Sequence, residues 1–331
     1  MSAGGRAFSR VVDRLLEVPV VTSFSRIGPV VRRRTAGWTE LDSVRLDGRV
    51  VLVTGATSGL GNAAARQFVR CGATVVVLGR DEAKLAGVAT DLSAGGRVEQ
   101  LVADMGDLDA VRRVAAEYLA RHDRLDVLVH NAGALTADRR ESPQGFEQTV
   151  ASQVVGPFLL TSLLLPALRR SAPGRVITVS SGGMYAAPLT VNRLQMGADY
   201  RGTEQYARAK RAQVTLNELW AGRVPRDEVV FHAMHPGWAD TPGVATSLPQ
   251  FRRVMGPLLR TPAEGADTVV WLGADDGEPI ASTGGFWLDR ARRPIHRLGS
   301  TRRSDTPERR RDLWQWVVAS ARVDPGAIGG E

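Results

Sequence analysis

The chain has 331 residues, 43% of them hydrophobic, enough to bury a full core, and its single cysteine, Cys71, excludes an internal disulfide framework. A net charge of +8 raises nucleic acid or acidic lipid as partners, but no helix-turn-helix, zinc or RNP pattern accompanies it, so no nucleic acid is expected. No apolar run reaches the ~20 residues of a membrane span, and no apolar stretch at the N-terminus leads to a small-residue cleavage site, so a cytoplasmic protein is expected.

Residues 1–45 read as an N-terminal helical extension. "FSRVVDRLLEVPVV" (8–21) has helical spacing, and "RIGPVVRRRTAGW" (26–38) mixes apolar and basic residues. Such a segment can make weak peripheral membrane contact, or it can fold onto its own domain, which is the preferred reading. Over residues 46–290 the rhythm changes. Short β-branched runs recur at 49–54, 73–78, 97–103, 125–130, 175–180 and 228–234, and "GGFWLD" (284–289) adds a last one. They are apolar on both faces, as strands covered on both sides must be, and helical patterns separate them. The alternation predicts an α/β domain: a single Rossmann-type, doubly wound parallel sheet of about seven strands with helices on both faces. Residues 291–331 form a basic C-terminal extension with a helix over 306–323, capped by Thr306 with Pro307 in its first position.

Two stretches carry chemistry. The first strand runs into "TGATSGLG" (54–61), which places Gly55, Gly59 and Gly61 between a strand and a helix. Glycine lets a phosphate approach backbone N–H groups at a positive helix terminus, although a flexible turn needs the same residues. At the tip of the second strand stands Arg80, with Asp81 next. An arginine there suits the extra phosphate of NADP, so NADP(H) is favoured over NAD(H); alternatively, Arg80 is merely exposed and Asp81 caps the next helix. The other stretch is "YARAK" (206–210). Of 43 basic residues only Lys84 and Lys210 are lysine. Tyr206 and Lys210 share a helix face, where an ammonium would favour phenolate and a compact cation could hold a ribose hydroxyl; alternatively, Lys210 is a surface lysine on an amphipathic helix, since this spacing alone occurs often by chance.

TGATSGLG (54–61), ADMG (103–106), HNAG (130–133), VITVSS (176–181), YARAK (206–210) and HPGWADT (235–241) occur in this order. Together they resemble the short-chain dehydrogenase/reductase family over residues 47–290. Within it, "VITVSSGGM", "YARAKR" and "MHPGWADTPGV" resemble the dehydrogenase/reductase member 12 type. The resemblance implies Tyr206 as general acid/base, Lys210 as its partner and ribose ligand, and Ser181 as hydrogen-bond donor to the substrate carbonyl. It places Gly55, Gly59 and Gly61 on the diphosphate, with Thr54, Ser58 and Leu60 beside them. Asp104 and Met105 would meet the adenine end, although Asp104 could instead cap the following helix. Asn131, Ala132 and Gly133 would flank the cofactor along the central strands. Pro236, Gly237 and Thr241 would lie by the nicotinamide.

One position departs from the pattern: Gln153 stands where the family has an asparagine whose backbone carbonyl holds a relay water. The gap from Ser181 to Tyr206 is 25 residues, longer than in short members and similar to the retinol-dehydrogenase-like branch. Met184, Tyr185, Leu189 and the 190–203 loop could line an apolar pocket; alternatively, the segment is a surface excursion with no substrate contact. His232 and His235 with Asp240 are not read as a metal site, because nearby strand positions face opposite ways and no third histidine adjoins them. The expected function is hydride transfer between NADP(H) and an alcohol or ketone, with room for a homo-oligomer. A non-catalytic dinucleotide-binding regulator on the same fold is the alternative, fed by Gln153. A basic nucleic-acid or membrane adaptor is a further rival, separable by salt-dependent retention.

Overall fold

The computed structural model describes residues 3–328. Three short helices open it: α1 (Ala3–Glu17), α2 (Val20–Phe24) and α3 (Ile27–Ala36). The alternating units follow as β1 (Val50–Thr54), α4 (Gly59–Arg70), β2 (Thr74–Gly79), α5 (Glu82–Ser93), β3 (Val98–Val102), α6 (Leu108–Arg121) and β4 (Val127–His130). Next, α7 (Gln148–Val150) passes through a wide π turn, Ala151–Val155, into α8 (Gly156–Arg169). Then come β5 (Gly174–Val179), α9 (Gly202–Ala221), β6 (Val229–Met234), α10 (Pro242–Ser247), α11 (Pro249–Met255) and α12 (Pro262–Ala274). The chain closes with α13 (Glu278–Ala281), β7 (Gly285–Leu288), β8 (Ala291–Arg292), α14 (Gly299–Ser304) and α15 (Pro307–Ala321).

The strands form one sheet in the order β3-β2-β1-β4-β5-β6-β7-β8, parallel except for β7 against β8. All seven expected strands are present, and the eighth is the two-residue β8, too short to leave a periodic signal. Alternate residues of β1 show why the runs are apolar throughout. Leu52 packs into a core shared with α6, α8 and α9, while Val51 and Val53 pack against α4 and α12 on the other face. The connected helix Gln148–Arg169 has the length and composition of a membrane span, yet most of it is buried in the first of these cores. The C-terminal helix packs there too, through Leu313, Val317 and Ala321, with Trp314 edge-on to both Phe158 and Trp220. The Thr306 side chain caps it by accepting from the Arg309 N–H at 3.4 Å.

The segment between Ser181 and Tyr206 corrects one expectation. Met184, Tyr185 and Leu189 do not line an open pocket; they are buried, at 0%, 7% and 1% exposure. The Arg211 guanidinium holds this segment down by donating to the carbonyls of Met184, Ala187 and Ile295 at 2.9–3.1 Å.

Candidate active site

The strand order reverses between β1 and β4, where successive connections leave in opposite directions and open a crevice at the strand C-termini. Polar contacts hold its edges. The Thr54 hydroxyl donates to the Val129 carbonyl and accepts from the N–H groups of Asn131 and Ala132, at 3.0–3.2 Å. The Asn131 amide donates to the carbonyls of Thr54 and Gly55, at 3.0 and 3.1 Å.

Gly55 needs its left-handed backbone (φ 67°), and a Cβ there would lie 2.7 Å from the Ala132 Cα. A Cβ on Gly61 would lie 2.4 Å from both the Asn131 amide nitrogen and the Gly55 carbonyl oxygen. The loop is thus glycine-rich because it is drawn tight against β4. Ser58 occupies the N-cap of α4 without a side-chain cap, so the first N–H groups of this 12-residue helix are available to an anion. Leu60 packs toward the β-sheet core, and Thr241 lies against Gly59.

At the β2 tip, Arg80 is 74% exposed along its side chain and lies 3.8 Å from the Asp104 carboxylate. Asp81 caps α5 through the Lys84 N–H. Asp104 accepts from the Gly106 N–H at 2.8 Å, while the cap of α6 is Asp107. Met105 is buried in the core, and its carbonyl occupies the space where a Cβ on Gly156 would fall. Gly156 therefore admits the close approach that ends the π turn.

Ser181 begins a short 3-10 turn after β5, its hydroxyl accepting from the Gly183 N–H at 3.2 Å. Tyr206 and Lys210 lie on α9, with the lysine Nζ 5.2 Å from the centre of the tyrosine ring. Lys210 donates to the Val179 carbonyl at 2.9 Å, at the end of the same β5 strand. Its neighbour Arg211 ties down three carbonyls with a planar fork, whereas Lys210 reaches one with a slender stem.

The electrostatics differ from the expectation that the ammonium depresses the phenol. Burial pushes Tyr206 up to about 12, the neighbouring Ser181 hydroxyl pulling the other way. Burial also pulls Lys210 down to about 7. Tyr206 is half-buried and Lys210 buried, and desolvation disfavours the charged form of each, so the phenol keeps its proton at neutral pH.

Gln153 is fully buried in the π turn. Its amide donates to the Ala134 carbonyl at 2.7 Å, and its Cδ passes 2.9 Å from where a Cβ on Gly133 would be. Its backbone carbonyl accepts from the Gln213 amide at 2.6 Å. Gln213, one turn after Lys210, thus takes a bond that the resemblance assigns to a water. Its signal was faint: a lone amide in an apolar helix stretch. Pro236 and Gly237 form the turn after β6, where Gly237 has φ 71° and packs against Arg260. His235 accepts from the Gly237 N–H, while His232 engages the Pro279 carbonyl and the Trp287 indole N–H. Among the described residues no three metal-ligating side chains cluster.

The short chain dehydrogenase family model matches residues 49–250. The chain belongs to the short-chain dehydrogenase/reductase family of oxidoreductases. It is of the dehydrogenase/reductase member 12 type: it is 38% identical over 251 residues to the Homo sapiens dehydrogenase/reductase SDR family member 12, covering 75% of this chain and 78% of that one. It is 32% identical to retinol dehydrogenase 12 of Bos taurus, covering 81% of this chain and 88% of that protein. Among solved structures, a short chain dehydrogenase from Escherichia coli CFT073 complexed with NADPH superimposes with a TM-score of 0.62 at 26% identity, covering 76% of this chain and all of that one.

The burial of Lys210 has a measurable consequence. Below pH 7 the folded protein carries the whole cost of burying an ammonium. From about pH 7 to the ordinary lysine value of 10.5 that cost declines, because the folded lysine is already neutral while the unfolded one is still charged. Lys210→Met should therefore be more stable than wild type at pH 6.5, by a margin on the order of a few kcal/mol. By pH 9.5 most of that margin should be gone. Urea unfolding at both pH values checks this, and an equal margin at the two would contradict it.

Proposed function

We propose that the protein is an NADP(H)-dependent oxidoreductase that interconverts an alcohol and a carbonyl on a small apolar substrate. The observation that carries this reading is the placement of the Ser181 turn, Tyr206 and Lys210 at the C-terminal end of β5, beside the reversal of strand order. The residues present fit a dinucleotide. The uncapped α4 terminus and the tight Gly55–Gly61 loop would receive its diphosphate, Lys210 a ribose hydroxyl, and exposed Arg80 the 2′-phosphate. Bound there, the nicotinamide would supply the hydride. Ser181 would hold the substrate oxygen by donating a hydrogen bond. Tyr206, a phenol that keeps its proton at neutral pH, would give that proton to the same oxygen in the reductive direction. Lys210 would orient the ribose and lower the cost of a transient phenolate. Support for an apolar substrate comes from Trp238, half-buried after Gly237 and edge-on to Phe251 at 5.2 Å. Retinol, the alcohol in one relative's name, is such a molecule, and the NADPH in the solved relative supports the cofactor assignment.

Tyr206→Phe keeps the ring and removes the ionisable hydroxyl. It should lower turnover by ~10²-fold or more while NADPH affinity holds. Lys210→Arg should weaken both cofactor binding and turnover, since a planar fork cannot replace the point charge in so narrow a site. Steady-state rates with NADPH across a panel of aldehydes and ketones test both, and near-normal turnover in Tyr206→Phe would refute the proton donor.

Cofactor choice has its own test. Calorimetric titration of wild type should show tighter NADP(H) than NAD(H), and Arg80→Ala should erase most of the difference. Tighter NAD(H) in wild type would sink the assignment.

The reading also takes the protein as cytoplasmic, with α1 touching a membrane surface weakly. Phe8, Val11, Leu15 and Val18 form an exposed apolar stripe along and just after α1, with Arg14 beside it. Flotation with anionic vesicles should be weak and lost in high salt. Salt-resistant flotation, or flotation unchanged in Leu15→Asp, would contradict this contact.

A further inference from the structure

The N-terminal arm reaches the candidate active site through one side chain. Phe24, the last residue of α2, is 5% exposed. Its ring lies so close to Gly182 that a Cβ there would fall 2.5 Å from it, and Gly182 directly follows Ser181. The same ring is 4.3 Å from His235 and edge-on to Trp238 at 5.8 Å, centre to centre. The Phe24 carbonyl accepts from the Trp238 N–H at 2.7 Å and from the Arg260 Nε at 3.0 Å. One residue thus touches both turns that flank the site, Ser181–Gly182 and Pro236–Trp238.

The arm is fastened where it lies. Asp289, in left-handed conformation at φ 51°, accepts from Arg32 at 2.5 Å and from Arg260 at 2.6 and 3.0 Å. Arg32 also bonds Asp13 and Glu17 of α1, and Arg293 clasps Asp13 through two bonds of 2.7 Å. Arg297 pairs with Glu17 and covers the Phe24 ring at 5.4 Å. The side chains of Arg32, Arg260 and Asp289 are 1–3% exposed. Desolvating so many charges yields little net stability compared with well-packed apolar residues, whereas fixed charge geometry defines position closely. The cluster pins the arm to the β7–β8 turn, and Phe24 is the arm side chain that lies against the site.

We propose that the N-terminal arm is a wall of the active site, with Phe24 as a positioning residue that sets the Ser181 hydroxyl and the Gly237–Trp238 turn. The proposal rests on the reading that Ser181 and Tyr206 bracket the substrate oxygen, but one of its two tests does not. Hydrogen exchange on the full chain compares wild type, Phe24→Leu and Phe24→Ala. In Phe24→Ala, amides in 181–186 and 237–241 should exchange about 10-fold faster or more, with β1, β4 and β5 unchanged. Phe24→Leu should restore most of the protection. Unchanged exchange at both turns, or a uniform rise across the sheet, overturns the proposal.

The second test is kinetic. Phe24→Ala should lower kcat for carbonyl reduction about 10-fold while the NADPH Kd stays within about twofold. In a Ser181→Ala background the same change should cost about threefold or less, because the hydroxyl it positions is gone and only the Gly237–Trp238 turn is left to displace. Full additivity overturns the proposal. If wild type reduces no carbonyl at all, the proposed function fails and hydrogen exchange alone judges the role of Phe24.

Discussion

The Asn131 side chain, bridging from the end of β4 to the carbonyls of Thr54 and Gly55, is the interaction around which the site is arranged. Without it, two parallel strands whose connections diverge would expose their terminal carbonyls. With it, the β1 loop is pulled against β4 so closely that Gly55 and Gly61 have no room for side chains. The uncapped first turn of α4 then faces the crevice with its N–H groups. The glycine pattern, the crevice and the helix terminus are one constraint seen from three sides.

Burial of charge is the second theme. Lys210 and Arg211 are adjacent, both nearly inaccessible, and serve different ends. Arg211 satisfies three carbonyls and turns the 184–187 segment into core. Lys210 satisfies one and remains near Tyr206, at the cost of a lowered pKa. In a chain that uses arginine nearly everywhere, Lys210 presents one slender ammonium where its neighbour Arg211 presents a planar fork. Gln153 follows similar logic. Its longer arm reaches the Ala134 carbonyl through space left by Gly133, and Gln213 secures the backbone of the π turn from α9. The helix bend is thus held by two amides from different elements rather than by one local side chain.

The ionic cluster around Asp289 joins three parts of the chain remote in sequence: the arm, Arg260 in the segment leading into α12, and the β7–β8 turn. Removing one partner would leave a buried charge uncompensated, so the cluster holds as a unit or opens as one.

The sheet, its crossover helices, the glycine loop and the Tyr206–Lys210 pair were all legible in the sequence, because each rests on local order: period-two or period-3.6 burial, or residues within one turn of each other. Even the capping of α15 by Thr306 and Pro307 could be read directly. The roles of Phe24, Arg32, Gln213, Arg260 and Asp289 could not, since their partners lie dozens to hundreds of residues away and no spacing rule links them. The same reason explains why Met184, Tyr185 and Leu189 looked like pocket residues: an apolar run in a long loop has the same composition whether it faces a substrate or a core. Only the arrival of Arg211 and of the C-terminal segment decides which. Local pattern determined what elements form and which candidate residues they carry; the tertiary structure decided which charges are buried, and burial shifts Tyr206 up and Lys210 down.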